Sequence, residues 1–255
     1  MILAMIDKMD IVNYYKNIAT DEESMRYLAI HAKRYALLLK IIQHIRNTMH
    51  AEKINVIDIG PSFLTEQVQS LLKNDAVYYL GYSHPESRGG HFPEKIILDT
   101  DKFIRFDLND VQYKEKWISV PSGSIVILAE VIEHLFTAPQ LILNFIRTFL
   151  EKNGVLIVQT PNAVSLFKRI KIAFGENPFE MIRENSQNPG HFREYTKKEL
   201  LSMAGGCNFK IIDFFYSNYF ELHPFNYKAA LYRIAQYTLG KSFYDGMTIV
   251  LQKNE

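Results

Sequence analysis

From residue 54 onward, short apolar runs alternate with segments whose apolar residues recur at helical spacing. INVIDIG (54–60), AVYYLGY (76–82), KFIRFDL (102–108), GSIVILAE (123–130) and GVLIVQTPN (154–162) have the length and β-branched content of strands. Between them, SFLTEQVQSLLK (62–73) and TAPQLILNFIRTFLEKNG (137–154) read as helices, the second with a glycine stop. Strands that are apolar almost throughout belong to a sheet covered by helices on both faces. Such alternation predicts an α/β, doubly wound, mostly parallel sheet. The pattern changes toward the end. TKKELLSMAGGC reads as a helix opened by a Thr196–Glu199 capping box and ended by Gly205-Gly206. KIIDFFY and MTIVLQK then read as two closing strands.

The first 50 residues form a helical segment. Thr20 with Glu23 fits a capping box, and Leu28, Tyr35, Leu38, Ile42 and Ile45 follow at helical spacing. That face is expected to pack on the main domain, residues 51–255. Two aromatic-rich stretches without clear period, about 162–195 and 217–242, are expected to build a small substrate cap. The chain holds 17 phenylalanines, 15 tyrosines and one tryptophan, so such a cap would present flat apolar faces.

Composition narrows the functional classes. Net charge is +1, from 29 basic and 28 acidic residues, so no global basic field draws nucleic acid. Cys207 is the single cysteine, which excludes an internal disulfide and fits a reducing compartment. The opening MILAMIDKMD has acids at Asp7 and Asp10 and no signal-like apolar run. No run approaches the ~20 apolar residues that span a bilayer. A cytoplasmic protein is expected.

At NVIDIGPSFLTE, Asn55 to Glu66, a strand enters a turn and then a helix. A dinucleotide corner needs three glycines there; Gly60 is present, but Ser62 and Leu64 stand where the second and third would fall. Gly60 brings main chain close to a ligand, and Pro61 is expected to stiffen the turn and occupy the first helical turn. A pyrophosphate is therefore disfavoured. The other strand ends carry Ser83 and His84, Asp107, and Glu130.

Taken in order and spacing, VIDIGPS, RFDLND, LAEVIEHL, LIVQTPN and GHFREYTKKEL resemble the class I S-adenosylmethionine-dependent methyltransferases. The likeness covers roughly residues 54–216 and is nearest to the subgroup with E-V-I-E-H-L after the fourth strand. It implies a Rossmann-like sheet of seven strands with an antiparallel last strand, and S-adenosylmethionine as cofactor. Carried over by position, Asp58 and Gly60, with Ser62 beside them, would frame the methionyl moiety. Asp107 and Leu108 would hold the adenine, and Ala129 and Glu130 would lie along the methionyl end. One departure stands out: Ser83 occupies the place where the family usually has an acid gripping both ribose hydroxyls. Either Glu86 reaches back, or the cofactor is held weakly, or the site is degenerate.

Methyl transfer from a sulfonium needs alignment and, for a hydroxyl acceptor, a base. His134 in EVIEHL and His191 in GHFREYT are the candidate catalytic residues. The leading expectation is O-methylation of a small molecule such as a quinone, sugar or natural-product precursor, without a metal and without nucleic acid. Two alternatives stay open. Glu130, Glu133 and His134 would share a face if helical, and with His191 could hold a metal, as in the RNA 2′-O-methyltransferases that this segment resembles. A catalytically silent scaffold of the same fold is the other. Lys168, Arg169, Lys171 and Arg183 could also recognise an anionic acceptor.

Overall fold

The computed structural model describes residues 7–15, 22–82, 100–186, 188–220 and 226–254, residues 8 and 23 by backbone alone. Ser83, His84, Glu86 and Thr20, and the side chain of Glu23, therefore lie outside the described residues. Two helices, α1 (Lys8–Tyr15) and α2 (Glu22–Thr48), precede strand β1 (Asn55–Ile59). Then come α3 (Phe63–Leu71), β2 (Ala76–Gly81), β3 (Phe103–Arg105), β4 (Gly123–Ala129), α4 (Pro139–Phe149) and β5 (Leu150–Pro161). The rest comprises α5 (Leu166–Ala173), α6 (Lys197–Gly206), β6 (Phe209–Ser217), α7 (Tyr227–Leu239) and β7 (Gly246–Lys253).

All seven predicted strands are present, in the order β3-β2-β1-β4-β5-β7-β6. β1 pairs in parallel with both β2 and β4, and β4 with β5, whereas β7 runs antiparallel to both its neighbours, β5 and β6. Side chains of a strand alternate between faces, and here both faces are dry. Ile57, Val126, Leu128 and Leu156 join Ile142, Phe145 and Ile146 of α4 and Leu200 of α6. Val56, Ile125, Ile127 and Ile157 on the opposite face join Leu28, Tyr35, Leu38, Ile42 and Ile45 of α2, which makes the expected α2 stripe part of the core. The end of α2 is fastened by Arg46, whose Nε and Nη2 donate to Asp75 at 2.8 and 3.1 Å; Asp75 also accepts from the Ile54 backbone N–H.

Three local expectations need correction. α4 stops at Phe149, and the chain passes directly into β5; Asn153, not Gly154, takes a left-handed φ of 62°. Gly205 and Gly206 lie inside α6, and Asn208 makes the left-handed turn after it. Asparagine tolerates that conformation because its side chain bonds locally. Pro61 sits ahead of the N-cap Ser62 rather than in the first turn of α3. The Thr196–Glu199 capping box is present as expected, with both reciprocal hydrogen bonds.

Candidate active site

The sheet order reverses between β1 and β4, and ligands of doubly wound folds bind at the strand carboxyl ends beside such a switch. A cavity of about 670 Å³ lies there. Its lining includes Gly60, Pro61 and Ser62 after β1, Gly81 and Tyr82 after β2, and Asp107 and Leu108 after β3. Ala129, Glu130 and His134 after β4 and His191 complete the set of predicted positions around it.

Gly60 is required by geometry. Its φ is +80°, its N–H donates to Leu80 at 2.9 Å, and a Cβ there would come within 2.5 Å of Val131 Cγ2. The loops leaving β1 and β4 thus touch at this residue. Ser62 caps α3, accepting from Leu64 N–H at 3.2 Å, while its own N–H donates to Thr65 Oγ1 at 2.8 Å. Thr65 Oγ1 in turn donates to Asp58 Oδ2 at 2.6 Å. Asp58 is therefore not a lining residue; buried beneath the turn, it holds the cap in place. Burial pushes its carboxyl up to about 7, against the opposing pull of Thr65 and Arg34. Asp107 caps the next turn through Asn109 N–H at 2.9 Å.

The segment after β4 is not an α-helix. Glu130 takes φ 56°, a strained conformation for a residue with a Cβ, and only Ile132–His134 form a single 3-10 turn. Glu130 and Glu133 therefore do not share a helical face. Glu133, His134 and His191 nevertheless converge, each offering one ligand atom within 4.8 Å of the others, and Glu130 stays outside this group. The convergence has a backbone cause: the Glu133 carbonyl accepts from Phe192 N–H at 2.8 Å and Arg193 N–H at 3.3 Å.

The outer atoms of the three groups are all held. Thr160 Oγ1 donates to Glu133 Oε2 at 3.0 Å, leaving buried Oε1 without a hydrogen-bond partner. His134 Nδ1 meets the Gly190 carbonyl at 3.0 Å, and His191 Nδ1 meets Glu194 Oε1 at 3.0 Å. Both partners accept, so in the neutral rings Nδ1 carries the proton and Nε2 carries a lone pair. The rings stand edge to face, 4.7 Å between centroids. Burial lowers both histidines, His191 to about 4 with help from the neighbouring His134. Glu130 is pushed up by burial and by the charge of Glu133, and Glu133 by burial, against the opposing pull of Thr160, Arg34 and Lys168. Glu194 also ion-pairs Lys168, whose ammonium burial lowers to about 8.

The sequence reading missed one wall. Tyr27, His31 and Arg34 of α2 line the cavity at i, i+4 and i+7, a polar stripe on a helix otherwise judged only by its apolar one. Arg34 is 3% exposed, and its Nε and Nη1 have no hydrogen-bond partner among the described residues. Burial is the largest influence and opposes its charge, but Glu130 together with Tyr35, Tyr27 and Tyr219 outweighs it and raises the pKa. A buried guanidinium with unmet donors is costly unless a ligand acceptor meets it.

No protein-family model matches the chain, and no curated protein matches it by sequence. Solved structures do. An S-adenosylmethionine-dependent methyltransferase from Archaeoglobus fulgidus superposes with TM-score 0.55 at 11% identity, covering 91% of this chain and all (100%) of that one. Magnesium protoporphyrin IX methyltransferase (ChlM) from Synechocystis PCC 6803, with bound SAH, gives 0.52 at 11% identity, covering 97% and 100%. The pyocyanin biosynthetic protein PhzM gives 0.51 at 14% identity, covering 95% of this chain and 62% of that one. At these identities the likeness establishes the fold, that of the S-adenosylmethionine-dependent methyltransferases.

Proposed function

We propose that this chain is an S-adenosylmethionine-dependent methyltransferase that methylates an oxygen of a small molecule. The observation that carries the reading is one cavity at the sheet's switch point, joining buried polar groups without partners among the described residues to two neutral histidines. The cofactor fits that inventory. Arg34 offers unmet donors to a carboxylate, and Glu130 offers a buried, partnerless Oε1 to an ammonium. Gly60 lets main chain approach closely where a side chain would collide. Asp107 and Leu108 would border the adenine, and the resemblance would put Ser83, outside the described residues, at the ribose. When bound, S-adenosylmethionine supplies a methyl group already activated by its sulfonium charge.

The remaining work falls to the side chains. His191 is the better base of the pair, because Glu194 orients its ring and stabilises the cation formed when Nε2 takes the acceptor's proton. His134 is pinned to a neutral carbonyl and serves as the wall against which His191 packs. A base whose pKa lies near 4 is weak but fully available at neutral pH. It therefore suits an acceptor whose hydroxyl is itself acidic, such as a phenol or enol. Phe136 and Phe192, at 5.7 Å between ring centroids, flank the mouth and fit an aromatic acceptor.

A second reading rests on the convergence of Glu133, His134 and His191. Their outer atoms are held by Thr160, Gly190 and Glu194, the arrangement by which proteins orient metal ligands. Two nitrogens and one carboxylate suit zinc, manganese or iron better than magnesium. A metal there would lower the acceptor's pKa, and vicinal ribose hydroxyls of an RNA end would become acceptors.

Calorimetry decides between these. Titration with S-adenosylmethionine is expected to give a binding isotherm, and no heat at millimolar cofactor overturns the methyltransferase reading. Titration of the cofactor complex with manganese is expected to give no heat on the first reading. Binding abolished by His191→Ala selects the second.

A further inference from the structure

Two helices turn apolar sides outward. On α5 and its C-cap, Phe167, Ile170 and Phe174 recur at i, i+3 and i+7 and are all exposed, Phe174 at 80%. On α7, Tyr227, Leu231 and Ile234 recur at i, i+4 and i+7 and are likewise exposed. Twelve of the nineteen large hydrophobic residues exposed among the described residues fall within 167–182 and 227–239, so the exposure belongs to these segments and is not scattered.

The polar side of α7 faces inward. Gln236 is fully buried, and its Nε2 donates to Asp245 Oδ1 at 2.8 Å and to the Phe243 carbonyl at 3.0 Å. Arg233 Nη1 donates to Asp245 Oδ2 at 2.6 Å. Surface helices normally bury the apolar stripe and show the polar one. α7 does the reverse, and this network holds it so. The two helices adjoin, since Phe167 N–H donates to Tyr232 Oη at 3.2 Å and the Arg169 guanidinium lies 4.3 Å over the Phe243 ring.

Charge selects what covers the face. Residues 165–182 and 226–244 carry six Lys or Arg against two acids, Glu176 and Glu180, in a chain of net charge +1; both acids lie beyond α5. Lys168 and Arg233 turn inward to Glu194 and Asp245, which leaves Arg169, Lys171, Lys228 and Lys241 to the surface. A second copy docked about a two-fold axis would set cations against cations. An anionic bilayer meets both features, taking the apolar rows at its acyl boundary and the basic residues among its headgroups. We propose that the α5–α7 face docks on the surface of an anionic lipid bilayer. This goes beyond the methyl-transfer reading and does not rest on it.

The test is co-sedimentation of the full chain with vesicles of phosphatidylcholine alone or mixed with phosphatidylglycerol. Pelleting is expected with the mixed vesicles only and weakens as salt rises. The triple reversal Lys171→Glu, Lys228→Glu, Lys241→Glu is expected to weaken partitioning at least about tenfold. Leu231→Ser with Ile234→Ser, both at exposed positions, is expected to weaken it as well, with circular dichroism unchanged. Equal pelleting on neutral vesicles, or pelleting indifferent to both variants, overturns the proposal. So does an absence of pelleting accompanied by concentration-dependent dimerisation that Ile234→Ser abolishes, which assigns the face to a second copy. Cofactor calorimetry on the same preparation keeps the two readings apart. Vesicle binding without cofactor heat removes only the methyltransferase reading, and cofactor heat without vesicle binding removes only this one.

Discussion

Replacing Gly60 by alanine perturbs the corner where the loops after β1 and β4 meet, and the structure allows its cost to be worked out. Two terms contribute. The backbone stands at φ +80°, which costs an L-residue roughly 1–2 kcal/mol. The new Cβ would also come 2.5 Å from Val131 Cγ2, well inside normal carbon contact, and overpacking of that kind costs about 1–3 kcal/mol. Valine is stiff at χ1, so the methyl cannot simply swing away. Together they predict a loss of roughly 2–5 kcal/mol, which a domain of ordinary stability survives. Urea denaturation of Gly60→Ala, Val131→Ala and the double variant separates the terms. Val131→Ala removes the clashing methyl but leaves the backbone cost, so the cycle should show about 1–3 kcal/mol of coupling. Cofactor affinity should fall with the single variant and recover in part with the double, because a displaced Val131 drags Glu130 with it. A loss below about 1 kcal/mol, or additivity within about 0.5 kcal/mol, would refute the steric account.

Arg34→Gln keeps some hydrogen-bonding capacity and removes the charge. It should weaken S-adenosylmethionine binding by more than about tenfold, the scale of a charge-assisted hydrogen bond, and unchanged affinity by calorimetry would exclude Arg34 as the carboxylate's partner. Binding should also release protons near neutral pH. Asp58, raised by burial to about 7, and Glu130, raised by burial and Glu133, hold protons in the free protein; a cationic ligand favours their ionised forms. Affinity is then expected to rise with pH between about 6 and 8, and Asp58→Asn should flatten part of that rise. Titrations in buffers of different ionisation enthalpy measure the release, and heats independent of buffer would contradict it.

Much of the fold was legible because buried parallel strands leave near-continuous apolar runs, and INVIDIG and GSIVILAE are of that kind. The misjudged helix ends have different causes. α4 passes into β5 through an extended Leu150, φ −73°, with no left-handed terminator at all, whereas after α6 the left-handed turn is made by Asn208 and not by the glycines before it. At the site, strand-end positions could be read because the topology sends the carboxyl ends of all strands but β7 to one rim. Arg34 escaped because it arrives from α2, a helix ahead of β1, and only the i, i+4, i+7 spacing with Tyr27 and His31 betrays it. The condition under which Glu130 would share a helical face with Glu133 fails, and a single left-handed residue inside EVIEHL leaves no mark on the pattern. The pairing of His134 with His191 depends on backbone bonds from residues 192 and 193 to Glu133, contacts that no local spacing encodes.

The place of β7 bears on how the chain reaches this fold. Latest of the seven strands to be synthesised, it ends up flanked on both sides, and it alone pairs with β6. Until it emerges from the ribosome, β5 presents an open rim of backbone donors and acceptors and β6 has nowhere to dock. Nascent chains must carry that unsealed rim from the synthesis of β5 until that of β7, which makes this edge the point where chaperone capture or mispairing between neighbouring polypeptides would begin.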